Sequence, residues 1–329
     1  MKRAGLAAVL LCLLLSGCAA APETESVSFF AMDTLMSVQA AGENASAALQ
    51  AAEARVNELE RMFSVTRPES ELAQLNAAGS LTVSEDTSAL LERALAFGKL
   101  TDGRFDITVS PAVDAWGFYT DDYRVPDAPE LSALRERIDF RRVALEGCRV
   151  VLGEGQRLDL GGIAKGYASE EICRILRQEG VESGLIVLGG SVQTLGARPD
   201  GSLWRIGIQH PDGSGYLGVW TGRDCAVVTS GDYRRYFEQD GKRYHHLLDP
   251  RTAAPAESDL RSVTVICADC VKADALSTAL FVMGREAALD FRRAQEDFEL
   301  ILYTADGRLI VSSGLAHSFE TDYPMEVAE

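Results

Sequence analysis

Leu158-Asp159-Leu160-Gly161-Gly162-Ile163-Ala164-Lys165-Gly166-Tyr167-Ala168 turns a strand-like apolar run into a helix through a pair of glycines. Paired glycines let main chain approach a ligand closely, because no Cβ stands in the way. The first turn of a helix has unpaired N–H groups and the positive end of its dipole, and Lys165 adds a mobile charge one turn in. The stretch therefore predicts a phosphate or diphosphate site. The plainer alternative is an ordinary strand-to-helix turn with a surface lysine.

Helices cluster before this stretch and strands after it. Ala48, Leu49, Ala52, Val56, Leu59 and Met62 share one helical face over residues 45–63, and residues 87–100 read as a second helix capped by Ser84 or Asp86. Val27 to Ala40 reads as a strand pair broken at Met32-Asp33-Thr34, residues 66–76 as a polar loop, and residues 149–152 and 157–160 as strands. Downstream, strand patterns recur at 184–196 around Gly189-Gly190, at 204–209, 217–220, 225–229 and 263–267. Asp240-Gly241 marks a hairpin and Gly284 breaks a helix over 272–295. With no fixed repeat and no linker, the pattern predicts an α+β fold, largely antiparallel sheets packed with helices in one compact two-lobed unit.

The chain has 329 residues, 47% of them apolar, enough for a well-buried core. Its formal charge of −17 repels polyphosphate backbones, which excludes nucleic acid as a partner. A phosphate-bearing ligand would need local positive charge, and a divalent cation supplies it economically. Lys2 and Arg3 precede an apolar run over residues 6–15 and then Leu15-Ser16-Gly17-Cys18, a secretory signal ending in a sequence that resembles a lipobox. The expectation is a lipoprotein signal at 1–17, lipidation at Cys18, a tether over 18–26, a main domain over 27–315 and a C-terminal tail over 316–329. That arrangement places the protein outside the cytoplasm, lipid-anchored to a bacterial membrane. Beyond Cys18 the cysteines are Cys148, Cys173, Cys225, Cys267 and Cys270, an odd and irregular set that makes no disulfide framework.

Two further stretches can carry chemistry. In RYHHLLDP, His245 and His246 are neighbours on a strand and point to opposite faces, so one can face a pocket as a general base. A lone histidine in that place is otherwise a core residue. In KADALSTA, Asp274 and Thr278 are four apart on a helix, a carboxylate and a hydroxyl suited to a hard cation such as Mg²⁺. Asp274 alone would read as a helix cap.

Taken in order, the motifs MDT, SELxxLN, GRFDITVSPAVDAWGF, LDLGGIAKGYA, LGG, VVTSGDYRRYF, HHLLDP and ADALSTA resemble the ApbE family of FAD:protein FMN transferases, from about Phe29 to Phe298. The resemblance implies that FAD is the substrate, contacted by Met32, Arg104, Phe105, Asp106, Asp159, Lys165 and Leu248. It implies Mg²⁺ held by Asp274 and Thr278 with main-chain oxygens of Gly162 and Ser277, and it makes His246 the residue that activates the acceptor. The implied reaction moves FMN from FAD to a threonine or serine hydroxyl of a partner, a flavoprotein subunit of a membrane electron-transport complex, and releases AMP. Alternatives are a Mg²⁺-dependent FAD pyrophosphatase and a non-enzymatic FAD-binding lipoprotein. Two departures stand out: Asp33 replaces the family's usual glycine, and Ser64-Val65-Thr66-Arg67 has no aromatic besides the preceding Phe63. Both predict weaker or differently made flavin contacts.

Overall fold

A computed structural model describes residues 23–329. The signal expected over residues 1–17 and the expected lipidation position Cys18 lie outside the described residues. Nine strands form the main sheet: β1 (Thr24–Ala31), β2 (Thr34–Ala41), β3 (Ser183–Leu188), β4 (Ser191–Leu195), β5 (Ala226–Gly231), β6 (Leu260–Cys267), β7 (Glu299–Thr304), β8 (Leu309–Ser312) and β9 (Met325–Ala328). Their order across the sheet follows the chain. Every neighbouring pair is antiparallel except β8 and β9, which run parallel.

Period-2 alternation explains how this sheet is covered on both faces. Val228, Val263, Val265, Leu300, Leu302 and Ile310 point into the larger core. That core also contains the apolar face of α1 (Ala45–Phe63), together with α6 (Ala164–Gln178) and α7 (Cys270–Met283). Val227, Ile266, Ile301, Leu309 and Val311 point the other way, onto Trp204, Ile206, Ile208, Leu217 and Trp220. These belong to a three-stranded sheet of Trp204–Gln209, Tyr216–Gly222 and Phe319–Glu320. Helix α7 is buried on nearly all sides, so Asp274, 4% exposed, is a polar exception on an apolar helix.

Several boundaries differ from expectation. Residues 24–26 belong to β1 rather than a tether, and residues 316–329 are no tail: they supply Phe319–Glu320 to the small sheet and β9 to the large one. The expected polar loop over 66–76 gives way at Glu71 to helix α2 (Glu71–Ala78), where Ser70 caps Ala73 N–H and Leu72 and Leu75 are buried. Helix α3 (Glu85–Leu100) starts at the Ser84 cap. Residues 157–160 form no strand; the Asn76 amide takes a strand partner's place, donating to Leu158 O at 2.9 Å and accepting from Leu158 N at 2.7 Å. The five described cysteines are free, and among the described residues no helix is long and apolar enough to cross a membrane.

Candidate active site

Three turns meet at one end of the main sheet. The β1–β2 hairpin closes through Met32 and Asp33, both at positive φ (49° and 59°), between the paired residues Ala31 and Thr34. Asp33 therefore occupies a left-handed position that aspartate tolerates better than most residues, which accounts for aspartate where glycine is usual. Gly189, at φ 65°, starts the β3–β4 turn, and a Cβ there would lie 2.8 Å from Thr34 Oγ1. Ser230 lies near the end of β5 that the antiparallel pairing with β4 brings to the same edge. The Arg234 guanidinium lies beside Gly190 and over the Tyr233 ring.

Helices α6 and α7 bring Lys165 and Asp274 to this edge. Their crossing is tight at Gly166, where a Cβ would meet Cys270 O at 2.5 Å and Val271 Cα at 2.8 Å. That approach lets Gly166 N–H donate to Asp274 Oδ2 at 2.9 Å. The anion held by the start of α6 is thus a protein carboxylate, which corrects the expectation of a helix end open to a ligand phosphate. Ala164 N–H is also spent, on Leu160 O at 2.8 Å. Lys165 Nζ donates to Gly161 O at 3.0 Å and lies 3.6 Å from Asp274 Oδ1. Arg93 fixes the pair of helices from outside by bonding both Glu170 on α6 and Asp269, the N-cap of α7.

The hydroxyls complete the cluster. Ser277, fully buried, donates to Asp274 O at 2.9 Å and lies 2.8 Å from Ser230 Oγ. Thr278 Oγ1 is 3.4 Å from Ser230 Oγ. A Cβ built on Gly162 would fall 3.6 Å from Thr278 Oγ1 and 3.1 Å from the Phe105 ring, so the glycine pair, Phe105 and Thr278 are immediate neighbours. Asp159 shapes the turn before them: Oδ1 accepts from Gly161 N at 2.6 Å and Oδ2 from the Tyr119 hydroxyl at 2.6 Å. Burial, and then the Asp159 charge, raise the Tyr119 pKa well above the usual phenol range, so it stays a donor.

The strand that follows Asp240-Gly241 spans Lys242–His245, so His246 lies one residue past its end rather than on the strand with His245. Its Nδ1 lies 3.1 Å from Arg235 O. A carbonyl only accepts, so that contact puts the proton on Nδ1 and leaves the Nε2 lone pair free. The ring is half-buried by surface, yet it is packed deeply enough that desolvation pulls its pKa down to about 3, with the charges of Arg235 and Lys165 pushing the same way. His245 points to the opposite face, edge-on to Phe281 at 5.4 Å, and desolvation lowers its pKa too.

The remaining residues singled out in the sequence have other surroundings. Asp106 accepts from Thr108 N and Oγ1 and from Phe140 N, at 2.8, 2.6 and 2.9 Å, and burial raises its pKa. Its carboxylate organises its own loop. Leu248 is buried in a satellite core with Trp116, Phe118 and Ala253. Arg104 is half-buried and makes no ion pair among the described residues. Met32 packs against the edge of the large core. Ser230, Asn76, Tyr119 and Arg234 also belong to the site or its support, with no local signal of it in the sequence. Each lies inside a quoted motif except Tyr119, which follows one, but their contacts are long-range.

A helix-covered antiparallel sheet with a lysine–carboxylate–hydroxyl cluster and a neutral histidine near one edge defines an α+β protein with a charged candidate site. The ApbE family profile matches residues 32–302, and the chain belongs to that family. It is 39% identical over 266 residues to the FAD:protein FMN transferase of Klebsiella pneumoniae (strain 342), covering 78% of this chain and 82% of that one. The corresponding transferase of Treponema pallidum (strain Nichols) is 38% identical over 290 residues, 82% and 80% of the two chains. Among solved structures, the ApbE protein of Thermotoga maritima superposes with a TM-score of 0.85 at 32% identity, covering 89% of this chain and 98% of that one. Flavin transferase ApbE from Vibrio cholerae gives 0.82 at 29% identity, covering 90% and 99%.

Proposed function

We propose that this enzyme transfers FMN from FAD to a threonine or serine hydroxyl of a partner protein and releases AMP. The observation that carries the reading is the meeting of the Lys165–Asp274–Thr278 cluster with a neutral His246, in a chain whose relatives named FAD:protein FMN transferase match about four-fifths of it. The acceptor hydroxyl attacks the FMN-side phosphorus, its proton passes to Nε2 of His246, and the bond to the AMP oxygen breaks. The Arg235 carbonyl holds the imidazole in the tautomer that can take that proton. Lys165 and Arg234 supply positive charge for the diphosphate in an otherwise acidic protein, and positioning contributes much of the remaining acceleration.

The donor set suits Mg²⁺. Among the described residues no group of three or more His, Cys, Asp and Glu could hold a metal, so Asp274 would be the lone carboxylate, joined by Thr278 and main-chain oxygens of the glycine turn and of Ser277. That favours a hard cation whose shell is completed by phosphate and water over zinc. The Lys165 ammonium already lies between Gly161 O and Asp274, which marks the place as one that attracts a cation. Bound Mg²⁺ would neutralise charge on the diphosphate oxygens.

The basic residues, apolar run and Cys18 of the N-terminus support export and lipid anchoring, and with them an acceptor in a membrane electron-transport complex. Purified protein with FAD, Mg²⁺ and a threonine-bearing acceptor should give covalently flavinylated acceptor and AMP. AMP release at the same rate without acceptor would make it a pyrophosphatase instead. Tight FAD retention with no AMP would make it a carrier.

A further inference from the structure

We infer that Ser230 is a positioning residue that sets the direction of the Thr278 hydroxyl. The inference rests on the cation site proposed above and extends it to a residue on β5, outside both helices that carry the site.

The direction follows from counting protons. Ser277 has one hydroxyl proton and donates it to Asp274 O. At the 2.8 Å contact between Ser277 and Ser230, Ser277 must therefore accept, so the Ser230 proton points at Ser277. Ser230 then has only lone pairs to offer Thr278 at 3.4 Å, and Thr278 donates towards β5. With its proton turned to the strand, Thr278 Oγ1 keeps its lone pairs for the other side, where Gly162 lies. A hydroxyl free to rotate would spend part of its time presenting its proton to a cation, which repels it. The chain from Asp274 O through Ser277 and Ser230 to Thr278 removes that freedom. Ser277 is fully buried, so the middle link of this chain is fixed by the packing of α7 on β5, while Ser230 and Thr278 are half-buried.

The test is Mn²⁺ binding to the protein without FAD, read by titration calorimetry and by the electron paramagnetic resonance signal of free Mn²⁺. Ser230→Ala should weaken Mn²⁺ binding by roughly fivefold, the size of one neutral hydrogen bond. Ser230→Thr, which keeps the hydroxyl, should restore most of the affinity. The deciding arm is a double-mutant cycle: in a Thr278→Ala background, Ser230→Ala should cost nothing further, because Ser230 acts through Thr278. Unchanged binding in Ser230→Ala, or an equal loss in both backgrounds, overturns the inference. A loss in Ser230→Ala that Ser230→Thr does not rescue, with a matching fall in melting temperature, assigns Ser230 to packing alone and also overturns it. The cation site itself is judged separately: if Asp274→Ala leaves Mn²⁺ binding unchanged, that site is wrong whatever Ser230 does.

Discussion

Replacing Lys165 with methionine should tighten metal binding while weakening FAD binding. In the structure the ammonium lies 3.0 Å from Gly161 O and 3.6 Å from Asp274 Oδ1, so an incoming cation must displace it from the carboxylate. Two unit charges 3.6 Å apart attract by roughly 4–5 kcal/mol at an effective dielectric constant of about 20. Desolvation of Asp274 and the lost freedom of the lysine chain offset much of this, leaving a net of about 1–2 kcal/mol, or roughly tenfold in affinity. Lys165→Met removes the competing charge but keeps an unbranched side chain only one atom shorter. Calorimetric titration of the FAD-free protein with Mn²⁺ should show that tightening, and titration with FAD at saturating Mg²⁺ should show the opposite change, because the freed ammonium is then missing from the diphosphate. Unchanged or weaker Mn²⁺ binding in Lys165→Met would refute the idea that lysine and metal share Asp274.

Four other outcomes are expected. With the imidazole of His246 held at about 3 by desolvation, kcat/KM should stay level from pH 8 to about 5, whereas a base with an ordinary histidine pKa of about 6.5 would lose activity in that range. The same shift has a stability sign: the unfolded chain takes up the proton first, so His246 contributes nothing above about pH 6.5 and destabilises the fold progressively as pH falls towards 3, which acid-titrated melting curves would detect. Asp33→Gly should keep the hairpin, since the position is left-handed, and should tighten FAD binding by removing a carboxylate from the sheet edge; a fluorescence titration checks it. Asn76→Ala strands both backbone groups of buried Leu158 at a cost of about 2–3 kcal/mol, so calorimetry should record a melting temperature lower by several degrees.

Local pattern made much of the fold legible. The stripe of α1, the Met32-Asp33 and Asp240-Gly241 turns and the strands β5 and β6 are short-range signals, and each appears as its residues suggested. The misreadings have a common cause. Residues 316–329 look like a polar tail because β9 is an edge strand with mostly exposed side chains, and its place beside β8 is a tertiary pairing. Leu158 looked like a strand residue because it is extended in pattern, but its partner is a side chain 82 residues earlier. The site shows the same limit. The start of α6 was legible as an anion site by its glycines and lysine, while the anion that fills it, Asp274, is 108 residues away on a helix whose sequence gives no sign of the crossing. Ser230 offered only a hydroxyl in a quoted motif, and its two partners lie 47 and 48 residues downstream.

The central claim is most directly tested by mass spectrometry of an acceptor domain known to be competent with a family member, incubated with this enzyme, FAD and Mg²⁺. The acceptor should gain the mass of FMN less one water on a threonine or serine, with one AMP released for each acceptor modified, and His246→Ala and Asp274→Ala should each abolish the gain. AMP formed with no change in acceptor mass, or acceptor modified equally well by His246→Ala, would contradict it.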